Sequence, residues 1–480
     1  MARTDRNDPL SSESFLFNHG LSRRTLAKAG AAGALGLMVG APRIVPVAYA
    51  QSEVTGGPIE VGVFYEEGPW FDHAKKIGDS LQADFPGTEV KYTFANTASD
   101  PARFLRWQNG DPLDVDTGFW SNQAPQTFDW INNGFVQDMT EFLNQPLASG
   151  EVWKDTFIPA VQSFAEDSRE GSTTPGSWWG VPFELVLMLM QYNKAIFDEF
   201  AITPPKTWPE FLDVCAQINE KGKEKGIKPI CVSGPTFYYT GHWWDRLIQR
   251  VVGKDAALEV IYGEGHLRDN PGFLTAAQEM AKLKENDWLM EGYEGADFTT
   301  AQALFFQGKA AMIHMGSWLT AEMKDSIPAD FQLGVFDFPQ YPDGAGDQNA
   351  MFGTAQMWSI ANPEKATSHE VNVPLAVEYL KRWTSKENQA ERSEVLRMIP
   401  TVKDVASPPG ITGMDEAIQA GANSEIIIYY YGIHWDTDLT NAWYLPPQAV
   451  FLGQMGPEDM IAAIDNNLDQ YRELKQQSEG

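Results

Sequence analysis

The sequence predicts an α/β protein built from two lobes, and two observations support this fold class. The first is alternation, because predicted strands over 59–64, 89–94 and 114–117 are separated by predicted helices over 70–85 and 101–109. Such alternation is typical of a mostly parallel sheet that helices cover on both faces, with ligand sites beyond the carboxyl ends of the strands. The second is length, since 480 residues, even without the first 50, exceed what one core commonly holds.

The first 50 residues have the pattern of an export signal. The motif SRRTLAK at 22–28 is similar to a twin-arginine signal, an apolar stretch over 29–41 follows, and AYA at 48–50 has the form of a cleavage site. We therefore expect a mature protein that starts near Gln51, is exported by the twin-arginine route and is periplasmic or extracellular. Because no cysteine follows the cleavage site, the pattern argues against a lipoprotein. An uncleaved membrane anchor is the alternative.

The chain is strongly acidic, with a formal net charge of −29. Such a charge argues against nucleic acid and anionic lipid as partners, and it disfavours anionic solutes such as phosphates. After the export signal, no stretch is long and apolar enough to cross a bilayer. The expected product is a soluble monomer.

Cysteine and histidine usage predicts neither a metal site nor a cofactor. Cys215 and Cys231 are the two cysteines of the chain, and the seven histidines show no ligand spacing. Two interpretations of the cysteines stay open at this point: a disulfide, which export permits, and two buried free thiols.

The segment over 178–211 has the most informative order of motifs. Gly-Val-Pro at 180–182 precedes Glu184 and an apolar run over 185–191, which has the length of a strand buried on both faces. Tyr-Asn-Lys at 192–194 follows, and then a Pro-Pro break. Thr207 is well placed to cap the next helix, with a glutamate three residues later as in a capping box.

A second block, QALFFQGKAAMIHMGSW over 302–318, has the residues that each structural change requires. Gly308 ends a predicted helix, 310–314 forms a predicted strand, and Gly316 opens a turn into another helix.

Together these two blocks resemble the extracellular solute-binding proteins of family 1, which serve carbohydrate ABC importers and include maltose-binding protein. The resemblance implies a periplasmic-binding-protein type II-like fold, in which two discontinuous α/β lobes are joined by a hinge and enclose an interlobe cleft. It implies lobe 1 from 56–184 plus 337–398 and lobe 2 from 185–336 plus 399–480, with Ile399 at a crossing between lobes. It also implies a receptor without catalytic activity that delivers a sugar, oligosaccharide or polyol to ABC transporter permease subunits.

Sugars present hydroxyl rims and apolar C–H faces, so their sites need flat aromatic rings and planar polar groups. Several tryptophans lie at predicted strand ends or loops, where such a site is expected. By the resemblance, Trp318 stacks on sugar, and Gly353 lies where the backbone approaches the ligand. The proposed ligand-binding residues are Glu66, Trp120, Glu184, Tyr238, Tyr239, Trp243, Trp318, Gly353, Thr354 and Trp443.

Some of these residues have a structural alternative. Glu184 is either a ligand-binding acid or one half of a hinge ion pair, and we favour the ligand role. Trp70, Trp178 and Trp179 have core packing as their alternative, and Trp435 competes with Trp443.

Two other functions compete with sugar binding. One is a receptor for a non-sugar solute, such as a polyamine or glycerol phosphate. The other is an exported glycoside-active enzyme, for which adjacent acids such as Glu66 and Glu67 would have to be correctly spaced carboxylates. Any acidic chain contains such pairs, and no surrounding motif supports them.

Overall fold

The computed structural model describes residues 53–94, 101–118, 130–167, 172, 174–424, 427–429, 431 and 437–479. The described strands are β1 Pro58–Val63, β2 Glu89–Phe94, β3 Val115–Gly118, β4 Val181–Asn193, β5 Lys228–Cys231, β6 Ala310–Gly316, β7 Leu333–Phe336, β8 Met351–Ile360 and β9 Ile427–Tyr429. The helices of the first half are α1 Pro69–Asp84, α2 Pro101–Gln108, α3 Thr140–Leu143, α4 Pro159–Ala165, α5 Lys194–Phe200, α6 Trp208–Lys221, α7 Phe237–Val251 and α8 Lys254–Tyr262. Those of the second half are α9 Pro271–Glu285, α10 Phe298–Phe306, α11 Leu319–Glu322, α12 Val373–Trp383, α13 Lys386–Leu396, α14 Met414–Ala422, α15 Thr437–Phe451 and α16 Pro457–Glu479.

The described strands form one mixed sheet in the order β2-β1-β3-β8-β4-β6-β5, with β7 beside β4 and β9 beside β8. The pairs β1–β2, β1–β3 and β5–β6 are parallel, as the alternation of strands and helices predicts. The central strands β4 and β8 are antiparallel to each other, and β8 is also antiparallel to β3. Parallel pairing thus occurs in the two outer parts of the sheet and also between β8 and β9.

Two large hydrophobic cores lie along this sheet. The first core draws its buried residues from 59–189 and 351–427, and α1, α12 and α13 pack together around it. The second core draws its residues from 190–338 and 431–468, with α7, α9, α15 and α16 packed against one another. Each core is thus assembled from separate stretches of chain.

The strand β4 joins the two cores. It is thirteen residues long and buried throughout, apart from the half-buried Tyr192. Its first half pairs with β8 and its second half with β6 and β7. Core membership changes between Leu189 and Met190, without any break in the strand.

These observations move the predicted lobe boundaries. The change of core lies near Leu189, whereas the sequence predicts the first crossing near Pro182, where the register of β4 with β8 shifts; the lobe boundaries stay predictions. The stretch after Ile399 also packs with the first core, since the backbone N–H of Leu185 donates to the Ile399 carbonyl at 3.0 Å. Residues 185–189 and 399–427 therefore belong with the first core, where the sequence assigned them to the second lobe.

Local signals in the second core match the prediction closely. The Thr207 hydroxyl accepts from the backbone N–H of Glu210, and the Glu210 carboxylate accepts from the Thr207 N–H, which completes a capping box. Upstream, the Asn193 side chain caps α5 by accepting from the N–H of Ala195 at 3.0 Å.

Two buried arginines on α7 hold the segment that leads into β8. Arg246 and Arg250 donate to the two carboxylate oxygens of Asp337 at 2.8 and 2.7 Å, and both also donate to the Ala350 carbonyl at 3.2 Å. Because Ala350 immediately precedes β8, this network fixes where the strand that returns to the first core begins.

The remaining sequence questions have direct answers. Cys215 and Cys231 are both buried free thiols, so the disulfide alternative is not formed. Within the described residues, no helix combines the length and the apolarity that crossing a membrane requires. The predicted export signal lies outside the described residues.

Candidate functional site

The carboxyl ends of β3 and β6, which are strands of different cores, lie on opposite sides of β4 and are level with its residues Pro182 and Met188. On the first-core side, Gly118 at the end of β3 is level with Met357, which also pairs with Pro182. On the second-core side, Gly316 at the end of β6 pairs with Met188. Side chains that follow these strands are therefore brought to one junction, although they are far apart in the sequence.

Tyr65 and Glu66 follow β1 on the first-core side of this junction. Tyr65 is half-buried and the predicted ligand residue Glu66 is exposed. The chain turns at Gly68, whose φ of 87° favours glycine, and α1 then starts at Pro69. Trp70 packs between the rings of Trp358 and Trp383 and is buried, which is the core alternative.

Glu184 forms an ion pair at the junction. Its Oε2 accepts from Nη2 of Arg392 at 3.2 Å, and both side chains are buried. The Arg392 guanidinium also lies over the rings of Phe183 and Trp383. Burial raises the pKa of the Glu184 carboxyl to about 7, against the opposing effect of Arg392. The structure thus contains the ion pair that the alternative expected, and the ligand role that the sequence favoured stays a prediction.

Trp318 is the aromatic residue that the second core presents at the junction. It follows β6 directly, is half-buried, and packs against a small cluster that contains Met188 and Phe352. A Cβ atom added at Gly316 would come 2.1 Å from the Trp318 ring, so glycine is required for the ring to fold back over the strand end. The predicted position of Trp318 beside a possible ligand is consistent with this geometry.

Tyr238 and Tyr239 lie at the start of α7 and are half-buried. Tyr239 stacks on Phe298 with ring centroids 4.4 Å apart, and Tyr238 packs against Tyr444 at 5.5 Å. Burial raises the pKa of Tyr238, against an opposing hydrogen bond from Thr440. Their exposed edges keep them as predictions for the ligand site.

Two predicted tryptophans belong to the core instead. Trp243 is fully buried beside Phe211, His314 and Phe338. Trp443 is also fully buried, and its Nε1 donates to Oδ1 of Asp245 at 2.9 Å. A side chain without exposed surface offers no face to a solute, so the burial of Trp243 and Trp443 argues against their ligand roles, which stay predictions.

Gly353 and Thr354 are buried as well, and their ligand roles stay predictions. Both residues lie in β8, where Gly353 pairs with Leu187 and Thr354 with Val186, and both are buried. A Cβ atom at Gly353 would lie 2.0 Å from the carbonyl oxygen of Val186. The neighbouring strand makes a close approach here that requires glycine.

The other two aromatic candidates, Trp120 and Trp435, lie outside the described residues. Trp178 and Trp179 are buried in the first core, which is the packing alternative.

The structure adds residues that the sequence did not single out. Glu322, at the end of α11, is exposed, and its Oε2 accepts from Nε2 of the buried Gln302 at 3.0 Å. Surrounding protein displaces water and raises the pKa of the Glu322 carboxyl to about 7, although the Gln302 hydrogen bond opposes the rise.

Tyr65, which follows β1 in the first core, is electrostatically coupled to Glu322. Burial, together with the charges of Glu184 and Glu322, raises the pKa of the Tyr65 hydroxyl to about 12. The hydroxyl is therefore within electrostatic reach of a carboxyl from each side of the junction. No sequence pattern marks either residue, because each follows its strand or turn without a motif of its own.

A cavity of about 850 Å³ lies elsewhere, on the outer side of the first core. It is lined by α1, α12, the start of α13 and the loop over 146–151. Its cations are paired, as with Lys381 and Glu378 or Arg382 and Asp84, and no tryptophan lines it. The junction at β4 is the better candidate for a solute site because it brings aromatic and polar groups together from two cores.

Comparison with known proteins agrees with this geometry. The model of a family described as bacterial extracellular solute-binding protein matches residues 72–390. An uncharacterized ABC transporter extracellular-binding protein of Pyrococcus horikoshii is 24% identical over 282 residues, which are 57% of this chain and 60% of that protein. A diacetylchitobiose-binding protein of Streptomyces coelicolor is 29% identical over 202 residues, 41% of this chain and 40% of that protein. The chain thus spans less than two thirds of the length of these relatives.

The fold is also similar to that of solved structures. A chitin oligosaccharide binding protein has a TM-score of 0.65 at 20% identity, and the match covers 86% of this chain and 98% of that one. This likeness confirms the predicted periplasmic-binding-protein type II-like α/β fold.

Proposed function

The chain belongs to the bacterial extracellular solute-binding proteins, and from this membership we propose that it is the substrate-binding component of a carbohydrate ABC importer. It captures a sugar, oligosaccharide or polyol at the junction of its two cores. The relative named for diacetylchitobiose and the similar structure named for chitin oligosaccharide support a carbohydrate ligand.

One observation carries the proposal. Strands from two separate cores end on opposite sides of β4, one level with Pro182 and the other with Met188, and Tyr65 and Trp318 follow strand ends of the first and the second core. A ring offers its face to sugar C–H groups, and a hydroxyl offers hydrogen bonds to the sugar rim. A solute that contacts both sides only when they are close together shifts the population toward the closed form, which the transporter can recognise.

The remaining parts of the function follow from the same role. The protein binds and releases its solute without changing it. The protein itself is exported by the twin-arginine route to the periplasm or the cell exterior. It acts as a monomer and delivers the solute to membrane permease subunits. The acidic charge of the chain supports a neutral solute over glycerol phosphate.

Tryptophan fluorescence and calorimetric titration test the proposal. The panel contains chitin, maltose and raffinose-type oligosaccharides, polyols, a polyamine and glycerol phosphate. We expect saturable binding of at least one carbohydrate and at least tenfold weaker binding by Trp318→Ala, because buried aromatic contacts dominate such interfaces.

Tyr262→Ala is the matched control, since Tyr262 is 49% exposed and lies on α8, away from the strand ends. Binding of only the polyamine or glycerol phosphate would leave the receptor role and overturn the sugar. Turnover of nitrophenyl glycosides that is lost in Glu66→Gln would show that the protein is an enzyme and would overturn the receptor function.

A further inference from the structure

Trp318 and Glu322 form one surface at the junction. They are four residues apart, and the backbone N–H of Glu322 donates to the Trp318 carbonyl at 3.0 Å. Residues with this spacing on a helical turn lie on the same face. An aromatic ring and a carboxylate are thereby placed side by side. The ring can pack on the C–H face of a sugar, and the carboxylate can accept hydrogen bonds from the sugar's donor groups.

The Glu322 carboxylate is held in position before any ligand arrives. Gln302 on α10 is 1% exposed, and its Nε2 donates to Oε2 of Glu322 at 3.0 Å. A buried amide has little freedom to move, so one carboxylate oxygen is oriented and the other stays available to accept from a ligand. An oriented acceptor costs less ordering entropy when the ligand binds.

The charges near this surface are predominantly negative. Glu66 is exposed next to Tyr65, and Tyr65 lies within electrostatic reach of Glu322. Two arginines of the described chain come close, but each is already engaged. Arg392 pairs with the buried Glu184, and Nη1 of Arg397 donates to the Thr320 carbonyl at 2.8 Å.

We propose that Glu322 is a specificity-determining residue, which accepts a hydrogen bond from a hydroxyl or ammonium group of the sugar that lies on Trp318. This inference rests on the proposed carbohydrate function and names the chemistry that the site selects. Neutral and amino sugars donate to the carboxylate. Sugars that carry a carboxylate or phosphate at the same position are repelled by the Glu322 carboxylate, because bringing like charges together in a partly desolvated site is unfavourable.

The test compares three matched ligands on the wild type and on Glu322→Gln. They are a neutral oligosaccharide that the wild type binds, its amino-sugar counterpart and its uronate counterpart. For Glu322→Gln we expect about tenfold weaker binding of the neutral ligand, as for loss of a hydrogen bond to a charged group. The affinity for the uronate should fall less than that for the neutral ligand, or should rise. The ratio of the two affinities should therefore narrow by about tenfold.

Asp330→Asn is the control, because it removes the same charge from an exposed turn of the same stretch of chain and should leave all three affinities unchanged. The melting temperature of unliganded Glu322→Gln should equal that of the wild type, which separates recognition from folding. If Glu322→Gln loses more affinity for the amino sugar than for the neutral sugar, the donor is an ammonium group. If it loses affinity equally for both, the donor is a hydroxyl. Both outcomes support the proposal.

Equal affinities of wild type and Glu322→Gln for all three ligands would overturn the inference and leave the carbohydrate function standing. A wild-type preference for the uronate would do the same. Absence of any carbohydrate binding by the wild type would overturn the proposed function, and the inference with it.

Discussion

A single buried carboxyl, Asp245, anchors two aromatic side chains in the second core. It is fully buried on α7 and accepts from Nε1 of Trp443 at 2.9 Å and from the hydroxyl of Tyr444 at 2.6 Å. Burial raises the pKa of Asp245 to about 7, because the two hydrogen bonds offset the loss of water only in part. The two hydrogen bonds satisfy the polar atoms of the aromatic side chains, whereas burial disfavours the charged form of Asp245.

This arrangement predicts a pH-dependent stability. The folded chain holds a proton on Asp245 between its ordinary pKa near 4 and its raised pKa near 7, whereas the unfolded chain does not. The free energy of unfolding therefore falls as pH rises through that window. We expect Asp245→Asn to reduce this slope by up to about 1.4 kcal/mol per pH unit, measured by urea unfolding at several pH values.

Part of the slope should remain in the variant, because Glu184 and Glu322 also have raised pKa values. Asp330→Asn, which alters an exposed acid, should keep the wild-type slope. An identical slope in Asp245→Asn and wild type would contradict the assignment of the proton to Asp245.

At the scale of elements, the pairing of β4 with β8 decides how the cores are connected. Gly353 allows the two strands to approach, and the register from Val181 to Leu187 depends on that approach. Strand pairing and burial on both faces leave little room for adjustment there.

We expect Gly353→Ala to destabilise the protein by about 1–3 kcal/mol, because the new Cβ would lie 2.0 Å from the Val186 carbonyl and would force the strands apart. Equilibrium unfolding in urea measures this loss. Gly295→Ala is the matched control, since a Cβ at Gly295 meets no atom within 4 Å. A Gly353→Ala variant as stable as the control would mean that β4 and β8 separate without cost.

The elements also show which features can be predicted from sequence. The capping box at Thr207 and the strand ending at Asn193 could be predicted, because capping and hydrophobic runs act over a few residues. Trp443 could not, since Pro446 and Pro447 suggest a loop, whereas the chain is helical there.

Burial of aromatic residues was the harder problem. Helix α7 is buried along its whole length from Thr240, so it has no polar face that would indicate which aromatic residue meets solvent. Glu322 was missed because α11 is a single turn, and its neighbours Tyr65 and Gln302 come from other parts of the chain.

At the scale of the whole molecule, a solute at the junction would contact both cores. A ligand that binds only the folded state raises the free energy of unfolding by about 2.7 kcal/mol at one hundred times its Kd. We expect a bound sugar to stabilise both cores together, so that unfolding curves followed by tryptophan fluorescence and by circular dichroism shift equally.

Glu322→Gln at the same ligand concentration provides the comparison, because weaker binding should give a smaller shift. A ligand-induced shift in one of two separable transitions would place the solute on a single core and would contradict a site between them.

The continuity of β4 also restricts how the two halves can move. A sheet bends and twists readily but resists shear along its strands. Sliding one half past the other would break the pairing of Val186 with Thr354 and of Met190 with His314 at once. Bending near Leu189 would preserve both ladders. The shared strand therefore allows mainly a rotation of one half relative to the other, so opening and closing follow the same path.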